Sequence, residues 1–384
     1  MAGPLQGVRV VEIGALGPAP FCAMLLADMG ADVLRVERPH KTGVLTADAQ
    51  TAEFDLLSRG RPSAAIDLRN EHGVALVHRL TQRADVFIEG MRPGVAERLG
   101  VGPEDLCAGN DRLVYGRMTG WGRTGPIADR AGHDINYISV SGVLAAIGRR
   151  GQPPTPPLNL VADFGGGGLL LAWGIACALV ERQSSGRGQV VDAAMIDGSA
   201  LLMTPIFGAH ASGFWSDERG TNMLDSGAPW YDVYETADGK WMSVGAVEPQ
   251  FYAELLATLG LGDDPTLPDQ HDVSRWPELR RRLSEVFRRR TRREWEEVFE
   301  DVDACVAPVL TMAEAPDHPQ NRAWGTFCRI GGVVQPAPAP RFDRSVPDPP
   351  SVPQPAGANT DEALRSWGVG DADRERLRTS GAIL

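Results

Sequence analysis

Short, nearly continuous apolar runs separated by segments of helical periodicity fill the first half of the chain. Residues 8–13, 33–36, 64–68, 86–89 and 113–118 read as buried strands, being apolar on successive rather than alternate positions. Between them lie an apolar segment over 21–29, entered through Pro18 and Pro20, and an amphipathic one over 73–81, both read as helices. Strands alternating with helices predict a mostly parallel sheet covered on both faces. A long apolar helix is expected over 165–182, stopped by Gly186 and Gly188, followed by a strand over 189–193. Beyond about residue 224 the pattern changes: 230–235 and 240–245 flank Ala237-Asp238-Gly239 and predict a hairpin, with helices over 250–259 and 277–289. Residues 336–355 hold eight prolines and are expected to run extended over the surface, before two amphipathic helices over 361–367 and 371–379. The expected architecture is α/β: a Rossmann-like large domain over 1–190, a linker helix over 191–224 and a smaller α+β domain over 225–329. The segment 330–384 is expected to pack back on the large domain.

Composition narrows the chemistry. A length of 384 residues implies about two domains, and 43% hydrophobic with 23% charged residues is the profile of a packed globular chain. The net charge of -12 argues against nucleic-acid or anionic-membrane partners, which need a basic surface. Any anionic ligand must be held by local arginines, since Lys41 and Lys240 are the only lysines. Five widely spaced cysteines, never in C-x-x-C, suggest neither a disulfide framework nor a zinc site, and a reducing cytoplasm is expected. No secretory leader and no run of 18 apolar residues is read. The first strand-to-helix turn, residues 14–20, lacks both G-x-G-x-x-G and G-K-[ST], so a nicotinamide or ATP site is not expected there. In such a fold the ligand still belongs beyond the carboxyl ends of the strands. The arginine-rich stretch 280–293 is interleaved with glutamates and reads as a salt-bridged, solvated helix surface.

Chemistry is suggested by Gly132-His133-Asp134-Ile135-Asn136-Tyr137, followed by Asn159-Leu160-Val161-Ala162-Asp163-Phe164 and four glycines, which puts Asp163 thirty residues after His133. His133 can be an acid/base imidazole or a capping or packing histidine. Asp163 can be a carboxylate for proton transfer, the N-cap of its helix, or both; at a helix start it is expected to be ionised unless burial raises its pKa. The glycines 165–168 either let a substrate approach or serve a purely conformational turn. Glu248, before Pro249, can be a first-turn glutamate or a partner for an imidazole. Tyr137 lines a pocket or fills the core.

Several ordered motifs carry a family resemblance: Val10-Val11-Glu12 with Gly17-Pro18, Gly30-Ala31-Asp32-Val33 with Glu37-Arg38-Pro39, Arg92-Pro93-Gly94, and Met118-Thr119-Gly120-Trp121-Gly122. To these are added the two hexads above and Gly245 with Glu248-Pro249-Gln250-Phe251-Tyr252. In these the chain resembles the alpha-methylacyl-CoA racemases, a branch of the family III CoA transferases, over nearly its whole length. The resemblance implies an interlocked homodimer that epimerises 2-methylacyl-CoA thioesters through an enolate, with no cofactor because coenzyme A is part of the substrate. It puts His133 and Asp163 on opposite faces of the alpha carbon, and the Asp134 N–H on the enolate oxygen. It brings Glu248 from the other subunit to orient His133. It assigns coenzyme A contacts to Arg38, Arg98, Ile66, Asp67, Leu68 and Arg69, and substrate contacts to Gly132, His133, Asp134, Ile135, Asn136 and Tyr137. The alternative within the family is CoA transfer, with Asp163 attacking the thioester and passing through an aspartyl anhydride. A third reading is an acyl-CoA binding protein. Met203, Met223 and Met242 can line an adaptable acyl pocket or fill the core.

Overall fold

The computed structural model describes residues 3–39 and 51–384. The chain divides into two compact units: one holds the described residues up to Ser141 with Leu158–Leu202 and Arg322–Leu384, the other Gly142–Pro157 and Met203–Asn321.

The first unit is built on a six-stranded sheet in the order β3-β2-β1-β4-β5-β6, every neighbouring pair parallel. Its strands are β1 (Arg9–Ile13), β2 (Asp32–Glu37), β3 (Ser63–Ala65), β4 (Val86–Glu89), β5 (Val114–Thr119) and β6 (Val190–Ala194). Val10, Val11, Leu34, Phe87 and Ile88 are wholly buried, as side chains of a sheet covered on both faces must be. Helix α1 (Pro18–Asp28) starts with proline at its first position, where the missing N–H is an orphan in any case. Helix α2 (Glu71–Thr81) is capped by the Asn70 side chain, which accepts the His72 N–H. The strand expected over 64–68 stops at Ala65 because the end of the chain takes over its pairing: Ile66 bridges Ile383, and Asp67 donates its N–H to Ala382.

Charged residues sit inside these apolar strands as matched pairs. Glu12 meets Arg61, Arg35 meets Glu37, and Glu89 meets Arg117, all buried. The extended proline-rich segment is tied down by the same chemistry, Arg35 donating to the Gln354 carbonyl at 2.9 Å and Arg59 to the Pro336 carbonyl at 2.7 Å.

The expected helix over 165–182 is longer and begins differently. Leu160–Leu169 is a π-helix that runs into α3 (Leu170–Ser185), closed by Gly186 in the left-handed conformation at φ 73°. The combined stretch is long and apolar enough to cross a bilayer by length and composition, yet Leu171 and Ile175 are wholly buried, and Ile175 packs where Gly116 of β5 lacks a side chain. The last element before the chain leaves this unit is α4 (Met195–Leu202).

The second unit carries the hairpin β7 (Tyr231–Glu235) and β8 (Trp241–Gly245), extended by β9 (Val306–Pro308) into a three-stranded antiparallel sheet. Helices α5 (Pro249–Thr258), α6 (Trp276–Phe287) and α7 (Arg292–Phe299) supply its core with Leu255, Leu279, Leu283 and Phe287. Residues 142–157, expected in the large domain, group with this unit. Arg219 donates to the Ala145 and Gln152 carbonyls at 2.7 Å each, and Arg149 pairs with Asp232. Residues 203–224, expected as a linker helix, belong to this unit, and 191–202 to the first. The arginine run is only partly a solvated surface: Arg281–Glu285 and Arg293–Glu297 are exposed i,i+4 pairs, whereas Arg280 reaches the buried Asp232 and Arg292 is itself buried against Glu314.

Candidate active site at the switch point of the sheet

Strand order reverses between β1 and β4, which opens a crevice beyond their carboxyl ends. A cavity of about 250 Å³ lies there, lined by Leu16 and Pro18 after β1, residues 90–93 after β4, Met118–Thr119 at the end of β5, and Trp121, Gly132, His133, Tyr137 and Met195. His133 is the N-cap residue of a short helix, Asp134–Val140, and its backbone N–H is held by the Asn136 Oδ1 at 3.0 Å. Its imidazole is exposed. The N–H of Asp134 leads that helix and so has no acceptor inside it. Tyr137 is buried, lies edge-on to Trp121 with ring centroids 4.7 Å apart, and donates its hydroxyl to the Gly132 carbonyl at 2.6 Å. It is therefore at once core and pocket wall. Gly120 and Gly132 permit this: a Cβ on either would come within 2.8 Å of the Tyr137 ring.

Asp163 is half-buried in the first turns of the π-helix and does not itself line this cavity. It is not the N-cap; that position is Asn159, whose Nδ2 donates to the Asp163 Oδ2 at 3.1 Å instead of capping the helix. Gly17, at φ 72°, passes so close that a Cβ there would stand 3.7 Å from the same oxygen. Burial pushes the Asp163 carboxyl above the ordinary range; the Asn159 hydrogen bond opposes this, the Asp134 carboxylate adds to it, and the His133 imidazole opposes it again. The two residues singled out from sequence thus lie within electrostatic reach of each other. Burial, and then the Asp163 charge, likewise raise the Tyr137 hydroxyl.

The four glycines do not hold space open for a ligand. Gly166 meets the backbone of Gly198 and Ser199 in α4, Gly167 faces Met195 and Pro18, and Gly168 meets Pro18 and Phe21 of α1. Absent side chains here let three helices touch, while Phe164 packs edge-on against Phe21 at 5.0 Å.

The coenzyme A candidates follow β2, β3 and β4. Arg38 comes directly after β2, exposed, and its charge helps hold the Asp67 carboxyl low, behind the hydrogen bond from the Arg69 N–H, which is the main cause. Arg69 is exposed, Leu68 packs on the core, and Ile66 is buried, leaving the backbone of this segment as its accessible part. Arg98 ends the short helix Val95–Arg98 and is exposed. Ile135 is partly exposed. Glu248, in the second unit, is the exposed N-cap residue of α5 and makes no capping hydrogen bond with its side chain.

The methionines proposed from sequence are not those beside His133. Met242 is core of the second unit, Met203 lines another cavity of about 760 Å³ within that unit, and Met223 is exposed. Met91, Met118 and Met195 line the cavity at His133. They end or follow strands β4, β5 and β6, where an apolar residue at the end of a predicted strand or just beyond it is the sequence signal for a crevice wall. Asn159, overlooked as a functional residue, stands four positions before Asp163. Among the described residues no group of three or more His, Cys, Asp and Glu is gathered for a metal ion.

A doubly wound α/β enzyme is what this strand order defines, with an imidazole and a carboxyl of raised proton affinity at its switch point in place of a phosphate-binding loop. More narrowly, the chain belongs to CoA-transferase family III, which it matches over residues 5–360. It is 47% identical to the alpha-methylacyl-CoA racemase of Mus musculus over 381 residues, spanning 99% of this chain and 97% of that protein, and 45% identical to that of Homo sapiens over the same shares. It is 37% identical over 271 residues to a succinyl-CoA–D-citramalate CoA-transferase of Chloroflexus aurantiacus, spanning 68% of this chain and 67% of that one. Among solved structures, a CAIB/BAIF family protein from Brucella suis superposes with a TM-score of 0.83 at 27% identity, over 96% of this chain and 100% of that one.

Proposed function

We propose that this protein interconverts (2R)- and (2S)-2-methylacyl-CoA thioesters by exchanging the alpha proton between two bases. The observation that carries the reading is that His133, which lines the crevice of the sheet, and Asp163, thirty residues on in sequence, share one electrostatic environment. Racemisation takes a proton from one face and returns one to the other, so each group serves as base in one direction and acid in the reverse. A carboxyl whose proton affinity is raised suits that exchange with a carbon acid better than an ordinary aspartate. The enolate oxygen is received by the Asp134 N–H. Coenzyme A lies along Arg38, the 66–69 backbone and Arg98, and belongs to the substrate, so the chemistry calls for no further cofactor.

The working form is an interlocked homodimer in which Glu248 of the partner subunit orients the His133 ring. Its support is the exposed apolar surface of the first unit, where Leu169, Trp173 and Val180 share a helix face and stand 54%, 65% and 72% exposed, more than a lone soluble protomer usually leaves bare. All five cysteines are free thiols, which supports a reducing, cytoplasmic setting.

The transferase reading draws on the Asp163 carboxylate and on the transferase relatives; it has no use for a base at position 133. One experiment separates them. A single epimer of a 2-methylacyl-CoA is incubated with the enzyme in D2O, with and without a free carboxylic acid. Racemisation predicts deuterium at the alpha carbon and loss of configuration without the acid; acid-dependent CoA exchange without deuterium would support transfer. His133→Ala is expected to lower epimerisation by roughly 10²–10⁴-fold, the usual contribution of a positioned proton carrier.

A further inference from the structure

The helix that carries Asp163 is capped from a distance. The first N–H groups of any helix lack partners within it, and a π-helix leaves one more than an α-helix does. The residue placed to satisfy them, Asn159, is turned to the Asp163 carboxylate instead. The orphan donors are taken up by Asp134: its Oδ2 accepts the Ala162 N–H at 2.6 Å and the Asp163 N–H at 2.9 Å. Asp134 is 2% exposed, and its other oxygen, Oδ1, is buried with no hydrogen-bond partner among the described residues. A buried carboxylate oxygen left unmatched is costly, and a neutral cap would avoid that cost. The same residue follows His133 directly; the His133 N–H is held by Asn136, and Tyr137 holds the carbonyl of the preceding Gly132.

We propose that the Asp134 side chain is a positioning residue that fixes the separation of the two proton carriers, joining the backbone at His133 to the backbone at Asp163 through one buried carboxylate. The inference rests on the two-base reading. The Asp134 backbone faces the substrate through its N–H, while its side chain faces away and holds the second base. A carboxylate is suited to this because one oxygen accepts two converging amides, a charge-assisted arrangement that stands up better than a hydroxyl cap.

Two variants test it. Asp134→Asn keeps one acceptor oxygen for the two amides, whereas Asp134→Ala removes the anchor. In the full-length enzyme, Asp134→Ala is expected to lose roughly 100-fold in kcat with KM little changed, the scale of a misplacement of about 1 Å, and Asp134→Asn to recover most of that loss. Hydrogen–deuterium exchange of the 160–165 amides, read in the same proteins without substrate, is expected to show protection lost in Asp134→Ala and kept in Asp134→Asn. Equal protection of these amides in wild type and Asp134→Ala overturns the anchor whatever the activity. Lost protection with kcat unchanged overturns its positioning role. Failure of the two-base reading shows separately, as absent alpha-deuterium incorporation by the wild-type enzyme.

Discussion

At the scale of single residues, the proposed proton exchange uses a carboxyl, Asp163, whose burial disfavours its charged form. Because burial raises the proton affinity of Asp163 above its value in the unfolded chain, its contribution to folding is favourable when protonated, at pH below the unfolded value, and is lost as pH rises through the folded one. At neutral pH the ionised Asp163 therefore weighs against folding. Asp163→Asn is expected to abolish epimerisation while its thermal midpoint at neutral pH equals or exceeds that of the wild type, the gap closing as pH is lowered through the carboxylate range. Paired melting curves at neutral and acid pH check both limbs. A lower midpoint at neutral pH would show that the carboxylate is held by contacts that outweigh its burial.

At the scale of elements, the π-helix Leu160–Leu169 is where packing and chemistry meet. Its glycines let α1 and α4 approach its backbone, so the turn bearing Asp163 is clamped by neighbours as well as by the helix's own hydrogen bonds. Gly198 is the tightest of these contacts, since a Cβ there would overlap the Gly166 carbonyl. Gly198→Ala is expected to destabilise the protein by roughly 1–3 kcal/mol, as overpacking against backbone does, and to lower kcat because the turn must move. Urea unfolding and steady-state kinetics on the same preparation measure the two effects.

At the scale of the whole molecule, charge and apolar surface are distributed unevenly. Many of the arginines are consumed by internal pairs such as Arg61–Glu12, Arg59–Asp28 and Arg117–Glu89, while Arg38, Arg69 and Arg98, in the segments after β2, β3 and β4, stay exposed and available to an anionic coenzyme. The apolar stripe on α3 is proposed to be the surface on which a second copy settles. Trp173→Asp is expected to shift the protein from dimer to monomer in sedimentation velocity and to reduce activity, because Glu248 of the partner subunit would no longer reach the histidine. A fully active monomer would remove the partner from the mechanism.

Much was legible in the chain itself. Short, mostly apolar runs at β1, β2 and β4, alternating with helical segments, read as strands of a sheet buried on both faces, and the hairpin of β7 and β8 was marked by its Asp238-Gly239 turn. The motifs around His133 and Asp163 pointed to the chemistry we propose. What the sequence could not disclose were relations between distant residues. That Asp134 rather than Asn159 caps the helix of Asp163, that the glycines face protein rather than substrate, and that residues 142–157 join the second unit all depend on contacts made only after folding. So does the raised carboxyl of Asp163, since desolvation is a property of surroundings. Local pattern determines which elements form, because backbone and side-chain preferences are local; the tertiary structure decides which groups lose water and which charges they meet, and with that the proton affinities on which this site runs.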